Sequence, residues 1–262
     1  MQKDINIINF EKIFNLKFVS VNFGRFVDVI TDSVRTSRNI TIFPVPVNVL
    51  VRAKRDTEFF SILDRASFLL PDGVPILWAA KFLGKPLKSK ISGSDLFPAL
   101  CRTAALNKYK IFFLGAKPGV AEKAGNILKM KYPELEIVGT HSPPFGFEKD
   151  ERENQKIVKV IKEKKPEFLF VGLGAPKQEK WIWKHKDELG VSVLMAVGAS
   201  FDFLSGNIKR APEWMQKIGL EWFWRVMMEP YRLWKRYLKD AIIFFYYLLL
   251  EKLKKDNKGR KQ

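Results

Sequence analysis

The feature that most limits the fold is a repeated change of hydrophobic period. Between residues 17 and 197, short runs rich in Val, Ile and Phe alternate with longer stretches whose apolar residues recur at helical spacing. Segments 17–21, 41–45, 67–70, 110–114, 136–139, 168–171 and 191–197 read as strands. Segments 24–36, 49–63, 73–83, 94–106, 119–131 and a charged stretch ending at 164 read as the helices between them. Strands separated by helices pair in parallel, so the pattern predicts a Rossmann-like α/β fold with a mostly parallel sheet and helices on both faces. In such sheets ligands bind beyond the carboxyl ends of the strands, against helix N-termini. That points to four places: Pro71-Asp72-Gly73, Gly115-Ala116-Lys117, residues 172–178 and residues 198–206.

The rhythm stops near residue 206, which divides the chain into an α/β domain over 1–206 and a helical appendage over 207–262. From Lys209 onward the chain carries four of its seven tryptophans and 14 Lys/Arg against 6 Asp/Glu, a surplus of 8 within a formal net charge of +18. The apolar run at 241–250 is ten residues long, whereas a spanning helix needs about 20. Basic and aromatic residues on one helix suit a helix lying in the headgroup region of an anionic membrane. The same amphipathic pattern also fits aromatics that pack as a protein core. Basic–aromatic mixing is shared by nucleic-acid-binding proteins, but nine consecutive apolar residues at 242–250 have no use in tracking phosphates. The solitary Cys101 and the lack of an apolar signal core in residues 1–15 lead us to expect a cytoplasmic protein on the inner face of the membrane.

At the strand ends, Gly172 and Gly174 let backbone N–H groups approach an anion, and Pro176 is suited to start a helix at Lys177 and Gln178. This is neither a Rossmann fingerprint nor a Walker loop, and a plain strand-to-helix turn fits equally. Asp72, between proline and glycine, is displayed toward the expected cleft as a general base or serves as an ordinary turn aspartate. Ser94 reads as an N-cap with Asp95 in the first turn, and Asp202 either orients a ligand or caps a turn. There is no Asp-x-Asp pair, only two histidines (His141, His185), and no Gly-x-Ser-x-Gly elbow. No metal site is expected, and Arg, Lys and helix N-termini would have to neutralise a nucleotide diphosphate.

Five ordered blocks carry a resemblance: residues 70–73 (LPDG), 92–96 (SGSDL), 172–181 (GLGAPKQEKW), 197–202 (VGASFD) and 210–222 (RAPEWMQKIGLEW). Together they resemble the WecG/TagA/CpsF glycosyltransferases over nearly the whole chain. The resemblance implies an inverting, metal-independent transferase that moves N-acetylmannosamine or a related hexose from a UDP-sugar, a substrate rather than a cofactor, to an undecaprenyl-diphosphate-linked acceptor in teichoic acid or surface polysaccharide synthesis. It implies that Asp72 deprotonates the acceptor hydroxyl, that Gln178 lies in the donor pocket, that Asp202 supports the site, and that Asn48, Lys90, Ser94, Asp95, Gly115, Gly172, Gly174 and Lys177 contact substrate. Arg225, Arg232 and Arg236 would come from the appendage, the first two reaching the diphosphate. Pro230 should start a new helix between Arg225 and Arg232. Where relatives often carry Thr-x-Asn, this chain reads Phe43-Pro44-Val45-Pro46-Val47-Asn48, which leaves the contacts of Asn48 and the sugar's identity open. Lys90 stands where an arginine is frequent, keeping the charge without the bidentate fork. A nucleic-acid-binding protein and a non-enzymatic membrane adaptor are the other classes, and self-association stays open.

Overall fold

Eight strands form one sheet in the order β1-β2-β4-β3-β8-β7-β5-β6, in a computed structural model that describes residues 8–36 and 39–259, without the side chains of Arg232 and 255–259. The strands are β1 (Phe10–Ile13), β2 (Leu16–Val19), β3 (Ile40–Val45), β4 (Phe68–Pro71), β5 (Lys110–Gly115), β6 (Glu136–His141), β7 (Phe168–Gly172) and β8 (Val193–Ala196). All pairings are parallel except β1 with β2. Central strands β3, β4, β7 and β8 are buried at every residue, as parallel strands covered on both faces must be. Their alternate side chains enter two separate cores: Phe43, Leu69, Leu169 and Leu194 on one face, Ile42, Phe68, Phe170 and Met195 on the other.

The first face is covered by α2 (Val47–Ala53), α3 (Thr57–Asp64), α4 (Val74–Phe82), α7 (Glu151–Lys164) and α8 (Lys177–Leu189). The second is covered by α1 (Phe23–Ser33), α5 (Gly93–Asn107), α6 (Val120–Lys131) and α9 (Ser200–Leu204). An aromatic cluster fixes α5 and α9 on the second face. The Phe97 ring lies 4.8 Å from Phe170 and 5.4 Å from Phe201, and each such pair is worth about 0.5–1.5 kcal/mol beyond its burial.

Two local expectations are corrected, and one strand is added. The expected helix over 49–63 is two helices, because Asp56 accepts from Phe59 N–H and caps α3 anew. The N-cap of α5 is Ser92, whose hydroxyl accepts from Asp95 N–H, so Ser94 falls inside the first turn. The antiparallel β1 before β2 was not anticipated.

The C-terminal segment folds as α10 (Glu213–Lys217), α11 (Glu221–Met228) and α12 (Pro230–Gly259), with Pro230 opening α12 as expected. The core reading holds for part of this segment. Phe244 and Leu248 of α12 enter the first core, with Phe244 5.8 Å from the ring of Phe14, while Trp214, Trp222, Trp234, Phe245 and Leu249 are exposed. Among the described residues no helix is long and apolar enough to cross a membrane.

Candidate active site

After β4 the chain crosses the sheet to build its other half from β5, so the two halves meet where β3 lies beside β8. A crevice at the carboxyl ends follows from this reversal, and the segments after β3, β4, β7 and β8 border it. Pro44 and Pro46, the unusual residues there, fit the backbone. Pro44 falls beyond the last β3–β8 register pair, Ile42 with Met195, so its missing N–H costs no ladder bond on that side. Pro46 is the N-cap of α2, whose first turn carries Asn48. The ring of Pro44 also explains Gly93, where a Cβ would lie 2.8 Å from Pro44 Cγ.

Asp72 follows β4 directly and is only partly accessible. Burial of its carboxyl, reinforced by Glu221 and Asp95 and opposed by Lys90 and the Gly93 N–H, pushes its pKa from 3.8 up to about 7. An ordinary aspartate near pKa ~3.9 is a feeble base. This one is poised near neutrality, where general-base catalysis is most efficient.

A charged bracket surrounds it. Arg210 Nη1 lies 2.7 Å from Asp95 and Arg210 Nε 3.1 Å from Glu221, tying the first turn of α5 to the first turn of α11. Lys90 Nζ stands 3.9 Å from the other Asp95 oxygen, which the Ser92 hydroxyl also donates to at 2.5 Å. Burial raises the Asp95 carboxyl, but the Arg210 and Ser92 hydrogen bonds and the charges of Arg210 and Lys90 outweigh it, so Asp95 stays below the usual range.

One turn further along α11, Arg225 reaches the β8 side. Its guanidinium lies 5.8 Å from the Phe203 ring and interacts with Asp202 in α9, which burial raises and Lys117 and Arg225 lower. Thus α11 carries Glu221 to the Asp72 group and Arg225 to the Asp202 group. Arg225 Nε and Arg210 Nη2 are buried donors with no hydrogen-bond partner among the described residues. Buried donors are almost always satisfied, so each is open to an acceptor, whether a water or a ligand oxygen.

The sequence pattern of the glycosyl transferase WecG/TagA/CpsF family matches residues 11–258. The chain belongs to that family. Among curated relatives, this glycosyltransferase is 33% identical over 229 residues to an N-acetylglucosaminyldiphosphoundecaprenol N-acetyl-beta-D-mannosaminyltransferase of Bacillus subtilis, covering 87% of each chain. A Bacillus spizizenii protein of the same name is 37% identical over 186 residues, 71% of this chain and 70% of that one. A Staphylococcus aureus protein, also of that name, is 32% identical over 222 residues, 84% of each.

The glycine loops of this glycosyltransferase hold the strand ends close. Gln178 Oε1 accepts at 3.1 Å from both Gly174 N–H and Gly198 N–H, so its carbonyl clamps the loops after β7 and β8 together. Its amide donates at 2.8 Å to Glu179, a fully buried carboxyl that burial raises to about 7. Gly115 and Gly172 permit another close approach: a Cβ on Gly115 would lie 2.4 Å from Gly172 O, which accepts from Ala116 N–H at 2.8 Å.

The remaining expected residues scatter. Lys177 pairs with Glu148 at 2.5 Å and stands 4.7 Å from the Phe145 ring. Arg236 interacts with Asp240 on the α12 face that meets Arg52 and Arg55. Arg232 lies on α12, with its side chain outside the described residues. Arg210, Glu221 and Lys117 were not singled out in sequence. Arg210 and Glu221 sit inside one recognised block and Lys117 ends another strand-end segment, so position marked them although residue type did not.

Proposed function

We propose that the protein transfers N-acetylmannosamine, or a related hexose, from a UDP-sugar to a sugar on a polyprenyl diphosphate, with inversion and without a metal cofactor. The observation that carries the reading is the Asp72 carboxyl, poised at about pKa 7 at the end of β4 and bracketed by Lys90 and Arg210. The names of the relatives supply the acceptor and sugar class.

In this reading Asp72 takes the proton of the acceptor hydroxyl as its oxygen attacks the anomeric carbon. The bond from that carbon to the donor phosphate breaks, and UDP leaves with the bonding electrons. Arg225, with its unpartnered Nε, and Arg232 meet the charge that grows on the diphosphate, where electrostatic stabilisation acts most strongly. The appendage lies on an anionic membrane, with its exposed aromatics in the headgroup region and its cations against the lipid phosphates. Acceptor and enzyme then meet at one surface.

The test is transfer from UDP-N-acetylmannosamine to N-acetylglucosaminyl-diphosphoryl-polyprenol, with product anomer determined by NMR and rates compared with and without EDTA. A β-linked product made at equal rates is expected. No transfer, a retained anomer or loss of activity in chelator would each overturn the corresponding part. Arg225→Ala should lower kcat more than it weakens UDP-sugar binding; a rise in KM alone would remove Arg225 from the transition state.

A further inference from the structure

The docking reading above assigns the membrane to residues 207–262. We propose that α4, an element of the α/β body, is a second membrane-seating surface: the outward face formed by Trp78 and Phe82 rests on an anionic bilayer beside the mouth of the Asp72 cleft. This inference rests on the docking reading and extends it to the body of the enzyme.

Helix α4 begins two residues after Asp72 and is apolar nearly all round. Its inner face, Ile76, Ala79 and Ala80, is buried in the first core. Trp78 and Phe82, four residues apart and so neighbours on one helix face, remain 60% and 49% exposed. Scattered apolar side chains on a surface are ordinary, but these two continue the exposed apolar surface of the appendage. At one end of α4, a Cβ on Gly219 would lie 2.7 Å from Val74 Cβ, so the turn before α11 abuts the helix, and Ile218 beside it is exposed. At the other end Lys252 of α12 stands 5.8 Å from the Phe82 ring, with Leu253 exposed next to it. Helix α4 therefore lies between the two arms of the appendage.

Charge selects the occupant. Residues 74–90 contain Lys81, Lys85, Lys88 and Lys90 and no acid. A two-fold contact between copies would set these cations against themselves. Lipid phosphates complement them, and Trp and Phe suit the headgroup boundary. Trp78 lies about 6 Å along the helix from Val74, and the two residues between Asp72 and Val74 add at most about 7 Å, so the backbone of the base stands within about 13 Å of that of the seated residue.

The experiment uses the full chain and vesicles of phosphatidylglycerol with phosphatidylcholine. Trp78→Ser with Phe82→Ser is compared with Trp222→Ser with Trp234→Ser, and UDP-induced thermal stabilisation checks that each variant is folded. The α4 pair should lower vesicle partitioning on the order of tenfold or more, as expected for losing two half-buried aromatics. Normal binding by the α4 variant with loss in the tail variant would overturn this inference and leave the docking reading standing. Normal binding by both, or none by the unaltered protein, would overturn both. A change in sedimentation with vesicle binding intact would assign the face to a second copy instead. Should the double variant fail to fold, Phe82→Cys decides: Cys101 is buried, so an environment-sensitive dye on residue 82 should shift to the blue on vesicles, and an unchanged spectrum overturns the proposal.

Discussion

Asp72→Asn is expected to give a protein that is more stable and far less active. Burial, Glu221 and Asp95 raise the carboxyl from 3.8 to about 7 in the folded state. Below about pH 4 both folded and unfolded chains carry the proton, so the group is neutral to stability. As pH rises, the unfolded chain releases the proton first and gains free energy that the folded chain forgoes until about pH 7. Stability therefore falls across that window, and the loss is complete above it. At about 1.4 kcal/mol per pH unit, the gap between 3.8 and about 7 comes to about 4 kcal/mol. Asparagine has the same shape, can accept from the Gly93 N–H, and does not ionise. Urea unfolding at pH 4.5 and pH 8 should thus show a gain of only about 1 kcal/mol for the variant at the lower pH and one approaching about 4 kcal/mol at the higher. Turnover should drop by about 10² to 10⁴, the usual worth of a general base. Equal stability differences at the two pH values would refute the burial argument, and undiminished turnover would refute the role of the base.

Glu221→Gln removes one of the charges that raise Asp72, so the acid limb of the kcat–pH profile should move to lower pH; an unmoved limb would dissociate α11 from the base. Gln178→Ala strands the Gly174 and Gly198 N–H groups and should cost about 2 kcal/mol or more in urea unfolding, whereas a neutral result would show that solvent replaces the clamp. Gly172→Ala puts a methyl 2.7 Å from the Phe201 ring, and overpacking of this kind costs about 1–3 kcal/mol, measurable as a lower Tm.

The sheet was legible because its central strands are apolar on both faces, which leaves continuous runs that no helix period explains. The helix break at Asp56 and the cap at Ser92 were less visible. In each case more than one polar residue could cap, and only the backbone geometry chooses between them. Strand β1 escaped because an edge strand buries little: Phe10 is exposed and Glu11 only half-buried. Asp72 was marked as a candidate by its place between Pro71 and Gly73, but its shifted acidity was not legible. That shift depends on Glu221, which lies 149 positions away in sequence and approaches only when α11 folds across the cleft. Arg210 was hidden for a similar reason: nothing in residue type separates a guanidinium that braces two carboxylates from the many cations of a chain with net charge +18.

The Arg210 bracket couples the position of the C-terminal arm to proton affinity in the crevice. If α11 lifted away, Glu221 would leave with it, and Asp72 would become a stronger acid and a poorer acceptor of protons. Titration of this one carboxyl would then report arm position, so an isotope-edited NMR signal from Asp72 could distinguish parked from released arms without any sugar being turned over.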